Sequence, residues 1–87
     1  MNDAEERFAD RLAEDMEHVL GVGIAIDDLE LSVGDGEARV VATLLIDGRV
    51  EQIEAAGPDL LSLYRPLVQR AAEVRLASAF WQMIGPA

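Results

Sequence analysis

The 87-residue chain contains no cysteine and no lysine, and it has only one histidine, one tryptophan and one tyrosine. Without cysteine it can form neither a disulfide nor a zinc site with thiolate ligands. No apolar run approaches the ~18–20 residues that a membrane-spanning helix needs. The acidic N-terminus also lacks the basic start and apolar core of a signal peptide. We therefore expect a cytoplasmic protein that makes no membrane contact.

Groups that carry out catalysis are equally scarce. Nucleophilic catalysis needs a nucleophile beside a base, and His18 is the one side chain suited to act as a base at neutral pH. Its position in the sequence places it on a charged helix face, where a solvated histidine is common. Glu14 lies four residues before His18, but two ligands are too few for a metal site. We expect no enzymatic activity, no cofactor and no metal site.

Acidic residues are abundant and unevenly distributed along the chain. The formal net charge is −10, residues 1–59 sum to −12, and residues 60–87 carry Glu73 as their one acidic residue and sum to +2. Such a charge repels the phosphates of nucleic acids and of anionic lipids. Direct nucleic-acid binding is therefore not expected, whereas a basic protein partner is electrostatically permitted.

The first segment has the pattern of a one-sided surface helix from about Asp3 to Leu20. Asp3 and Glu6 have the spacing of a capping box, and Gly21 and Gly23 are typical of a helix end. Apolar side chains recur every three or four residues and form one stripe, namely Phe8, Leu12, Met16, Val19 and Leu20.

An antiparallel hairpin is predicted next, because Asp35-Gly36 is a turn signal between two apolar runs. Strands near 22–33 and 37–47 pair Val33 with Ala38, Leu31 with Val40 and Leu29 with Ala42 on one face. Ile24 and Ile26 fall out of phase with that alternation. One extra residue at Asp27-Asp28, a β-bulge, restores them to the same face, opposite Ile46 and Leu44.

A second turn of the same kind, Asp47-Gly48, predicts a short third edge strand over Arg49–Ala55, although this segment also has a composition suited to a helix. Leu29–Tyr64, with Leu45-Ile46-Asp47-Gly48 and Ala55-Ala56-Gly57-Pro58-Asp59, loosely resembles one strand–strand–strand–helix unit of the regulatory domain of 2-isopropylmalate synthases. The resemblance implies the third strand and transfers no function.

Two prolines divide the C-terminal segment. Pro58 suits a first helical position, and Pro66 interrupts a helix interior. We therefore predict a short helix over Pro58–Tyr64 and a longer one over Pro66–Ile84, ended by Gly85-Pro86. Together they form a long, kinked C-terminal helix.

The longer helix has two apolar stripes, and a helix that covers a sheet needs only one. The first stripe comprises Val68, Ala72, Leu76, Ala79 and Met83, and the second comprises Leu67, Ala71, Val74 and Trp81. The second stripe needs a cover of its own, either the N-terminal helix or the same helix of another copy. We predict it as a homodimer interface, with Trp81 as the principal contact because buried aromatics tend to carry interface energy.

These patterns predict a single α+β domain, residues 1–87, with the order α-β-β-(β)-α. The leading functional hypothesis is a non-catalytic protein–protein interaction module that binds itself or another protein. An alternative is an acidic inhibitor that mimics nucleic acid and occupies a basic groove. A third is a regulatory ligand-binding domain, which would need a defined pocket. The acidic patch of the second hypothesis comprises Glu14, Asp15, Glu17, Asp27, Asp28 and Glu30.

Overall fold

The computed structural model describes residues 3–84, which form two helices and one three-stranded sheet. The elements follow the order α-β-β-β-α, and this confirms the predicted α+β class with its third strand. Their bounds are α1 Asp3–Leu20, β1 Ile24–Gly34, β2 Glu37–Ile46, β3 Arg49–Gly57 and α2 Leu61–Ile84.

The sheet is antiparallel throughout, with β2 between β1 and β3. All five predicted pairs between β1 and β2 are present, from Val33 opposite Ala38 to Ile24 opposite Ile46. The register shifts between Ile26 and Asp28, so Asp27 is the extra residue of the predicted bulge. The hydrophobic alternation therefore determined the register of this hairpin.

The third strand is longer than the sequence predicted. β3 pairs with β2 from Arg49, opposite Ile46, to Gly57, opposite Ala38. Asp47 and Gly48 both have positive φ, at 51° and 83°, which is the backbone conformation of a tight hairpin turn. This turn starts β3 in register with β2, and the pairing overrides the helix-compatible composition of the segment.

Both helices cover the same face of the sheet, so the fold has two layers. Alternate residues of β2 are buried there, and Leu12, Met16 and Leu20 of α1 pack with Leu63, Leu67 and Ala71 of α2 to complete the core. The opposite face of the sheet is not covered by any element of the described chain. The buried β2 residues are Ala38, Val40, Ala42, Leu44 and Ile46.

The C-terminal segment forms one long helix, as predicted, but this helix begins at Leu61 and continues through Pro66. Asp59 caps it, because the backbone N–H of Ser62 donates to Asp59 Oδ1 at 2.8 Å. Pro58 therefore precedes the helix, and Pro66 lies inside it. Pro66 is exposed, whereas Leu63 and Leu67 on either side are buried against the core, and this packing holds the segment in one helix. The predicted stop at Gly85-Pro86 lies outside the described residues.

The two helices run in the same direction along the sheet. At one end the rings of Phe8 and Tyr64 meet edge to face, with centroids 6.3 Å apart. At the other end Arg75 Nη1 donates to the carbonyl oxygens of Val19 and Leu20, at 3.3 and 3.5 Å. The molecule is elongated, with extents of 49 × 19 × 18 Å.

We call the end of the molecule at which Arg75 contacts α1 the turn end, because it contains the α1–β1 connection and the β2–β3 turn. Val22, Asp47 and Ser78 line one depression there. Since Asp47 marks the limit of the sheet, the residues of α2 that follow Ala79 extend beyond the core. The last turn and a half of α2 therefore projects from the turn end.

Candidate interaction surface

Exposed large apolar residues are concentrated at the turn end. Ten such residues are exposed in the described part of the chain, and two of them, Val33 and Leu61, lie at the opposite end of the sheet. The other eight belong to the α1–β1 connection, to the strand ends beside the β2–β3 turn and to the end of α2. They are Val22, Leu45, Val50, Leu76, Phe80, Trp81, Met83 and Ile84.

Five of these residues form one surface on α2, which we call the α2-end surface: Leu76, Phe80, Trp81, Met83 and Ile84. At about 100° per residue they fall within roughly 160° of the helix circumference, with Phe80 and Ile84 near the middle. Arg75, which contacts α1, lies on the other side of the helix. The stretch 76–84 contains no charged residue. The surface is therefore broad, apolar and uncharged.

The predicted interface stripe faces inward along most of its length. Leu67 and Ala71 have no exposed area, and Val74 is half-buried against the core. Assigning these residues to an outside partner was therefore wrong, because this stripe covers the chain's own sheet. The two stripes are similar in composition, so the sequence did not indicate which of them would face the sheet.

Trp81 is the one member of that stripe that is largely exposed. It follows Val74 by seven residues and so points to nearly the same side of the helix. The sheet has ended at this level, and Trp81 is 61% exposed. Its exposure results from its position beyond the core and not from the direction in which it points.

Sequence reasoning missed the rest of the α2-end surface. Helical periodicity assigns Leu76 and Met83 to the stripe predicted to cover the sheet. It assigns Phe80 and Ile84 to neither stripe. The available signal was the uncharged run from Leu76 to Ile84. Helical periodicity does not reveal the α2-end surface, because a helix end that projects beyond the core can be apolar over half its circumference.

The acidic residues proposed as one patch lie on both sides of the molecule. Glu14 and Glu17 are exposed on α1, in the helix layer. Asp28 and Glu30 are opposite Thr43 and Val41, on the uncovered face of the sheet. The remaining two are Asp15, which pairs with Arg11 at 3.2 Å, and the bulge residue Asp27. These six residues therefore do not all share one face of the molecule.

The uncovered face of the sheet carries charges of both signs. The Arg39 guanidinium bonds to the Glu54 carboxylate on the neighbouring strand. This hydrogen bond, together with the charge of Glu54, raises the pKa of Arg39 above its ordinary value. Gln52 Nε2 also donates to Thr43 Oγ1, at 3.3 Å. These groups bond to one another across β2 and β3, and Arg39 stays cationic at physiological pH.

Within residues 3–84 no three histidine or acidic side chains are grouped so that they could hold a metal ion. Neither α1 nor the described length of α2 combines the length and hydropathy of a membrane-spanning helix. Comparison of the chain with protein-family models, with curated proteins and with solved structures finds no match.

Proposed function

We propose that this protein is a non-catalytic protein–protein interaction module that forms a homodimer through the α2-end surface. The observation that carries the proposal is the placement of five large, exposed apolar side chains on one projecting helix end. Isolated apolar residues are normal on a protein surface, whereas a contiguous group marks an interaction site.

The size of the surface supports this proposal. The exposed fractions of the five residues together equal the surface of just over three fully exposed residues. If a large apolar side chain offers roughly 150–250 Å², the surface measures roughly 500–800 Å². The largest apolar patch of a typical monomer is about 300–600 Å², and a stable complex buries about 800 Å² per partner. The α2-end surface thus approaches what a dimer needs.

The charge distribution favours a second copy as the partner. Two molecules of net charge −10 repel each other wherever their acidic surfaces meet. The stretch 76–84 has no charged residue, so two copies can meet there without placing like charges in the contact. Self-association through the α2-end surface therefore meets little electrostatic repulsion at the contact.

The acidic-inhibitor hypothesis has less support. A protein that mimics nucleic acid needs its negative charges on one continuous surface, and here they are divided between the helix layer and the opposite sheet face. The two hypotheses differ in salt dependence. Binding through acidic groups weakens strongly as salt rises, whereas apolar association changes little.

The test of the proposal is the mass of the protein in solution, measured by light scattering. We expect a dimer for the wild type and a monomer for Phe80→Glu, which places a charge in the middle of the surface. The matched control is Leu61→Glu, because Leu61 is 80% exposed on the same helix at the opposite end. It should remain dimeric.

Circular dichroism checks that both variants keep their helix and strand content. Equal masses for the wild type and a folded Phe80→Glu variant would overturn the proposal.

A further inference from the structure

We infer that the two copies pair their α2 ends in an antiparallel orientation, about a two-fold axis close to Phe80. This inference rests on the self-association proposed above. In this arrangement Leu76 of each copy lies beside Ile84 of the other, and the two Phe80 side chains meet at the axis. The acidic bodies of the two copies point away from each other. The partner is thus a second copy in a defined orientation.

The antiparallel orientation follows first from charge. Residues 1–59 of each copy sum to −12. A parallel pair of α2 helices would hold two such bodies side by side, with helix axes about 8–10 Å apart. The two acidic bodies would then lie next to each other along their length, and their like charges would repel each other. An antiparallel pair places the bodies on opposite sides of the contact.

The length of the uncharged stretch also fits. Residues 76–84 span about 13 Å at 1.5 Å per residue, a fraction of the 49 Å long axis. If the two α2 helices overlap antiparallel over this stretch alone, the sheet of each copy lies beyond the end of the other copy's sheet. The two sheets therefore do not overlap. The stretch is self-complementary about its central residue, since large apolar side chains occupy both ends and the middle.

The absence of cysteine makes the orientation directly testable, because an introduced cysteine would be the only thiol in the chain. We choose Leu76→Cys and Ile84→Cys, one of them carrying an affinity tag. A disulfide needs Cα atoms within about 7 Å. In an antiparallel pair, two copies of residue 76 are about 12 Å apart along the helices, whereas residue 76 lies beside residue 84 of the other copy.

The expected result is a disulfide-linked dimer that forms efficiently when the two variants are mixed and inefficiently with either variant alone. Phe80→Cys should link to itself, and Leu61→Cys, at the far end of α2, should not. Efficient linkage of each variant to itself, without an excess in the mixture, would overturn the antiparallel arrangement and leave self-association standing. A monomeric mass for the wild type in light scattering would overturn self-association itself.

Discussion

Replacing Gly21 with alanine should destabilise the protein through two separate effects. Gly21 has φ of +72°, and its N–H donates to the carbonyl of Glu17 at 3.0 Å, which ends α1 in a left-handed residue. A methyl group at this position would overlap Arg75 Nη1. The guanidinium would have to move from the carbonyl oxygens of Val19 and Leu20.

The magnitude follows from these two effects. A left-handed conformation costs a non-glycine residue about 1–2 kcal/mol. The two Arg75 bonds are long, at 3.3 and 3.5 Å, and losing them costs on the order of 1 kcal/mol. Gly21→Ala should therefore lower the free energy of unfolding by about 2–3 kcal/mol. For a domain of this size, that lowers Tm by roughly 10–20 °C.

A double-mutant cycle separates the two effects. In an Arg75→Met background the guanidinium is absent, so Gly21→Ala should cost only the backbone strain, about 1–2 kcal/mol. Urea unfolding is followed by far-ultraviolet circular dichroism at one fixed protein concentration, since association makes stability depend on concentration. Equal costs of Gly21→Ala in both backgrounds would refute the role assigned to Arg75.

Three further predictions concern the fold. Leu44→Ala, at a position with no exposed area, should cost about 2–5 kcal/mol in urea unfolding; a cost below 1 kcal/mol would mean that the centre of the core is elsewhere. Deleting Asp27 should preserve the circular dichroism spectrum, because the strand then alternates regularly, whereas deleting Glu30 moves part of β1 onto the wrong face. Similar damage from both deletions would contradict the bulge. Asp59→Ala should lower stability by about 1 kcal/mol because it removes the N-cap of α2, and an unchanged urea midpoint would show that the cap is dispensable.

The sheet could be predicted from the sequence in detail because its rules are local. An alternating strand has only two faces, so the shift in phase at Asp27-Asp28 could be repaired by one extra residue. The Asp-Gly turns then fixed which residues of neighbouring strands are opposite each other. The same rules account for α1, whose apolar side chains form one stripe.

The surface of α2 could not be predicted in the same way, because it depends on distances between elements. Leu67 and Leu76 belong to similar apolar stripes, and only the packed structure determines which one meets the sheet. Pro66 gave a misleading signal, since buried neighbours on both sides keep the helix continuous. The exposure of Trp81 depends on where the sheet ends relative to α2, and periodicity carries no information about that position.

The most direct test of the proposed self-association uses Trp81, the single tryptophan of the chain and part of the α2-end surface. In one copy its side chain is largely exposed. A dimer formed through this surface should bury it, so its fluorescence emission should shift to shorter wavelength as protein concentration rises and return on dilution. An emission maximum that stays at the position of a water-exposed indole, at concentrations where light scattering detects a dimer, would contradict association through the end of α2.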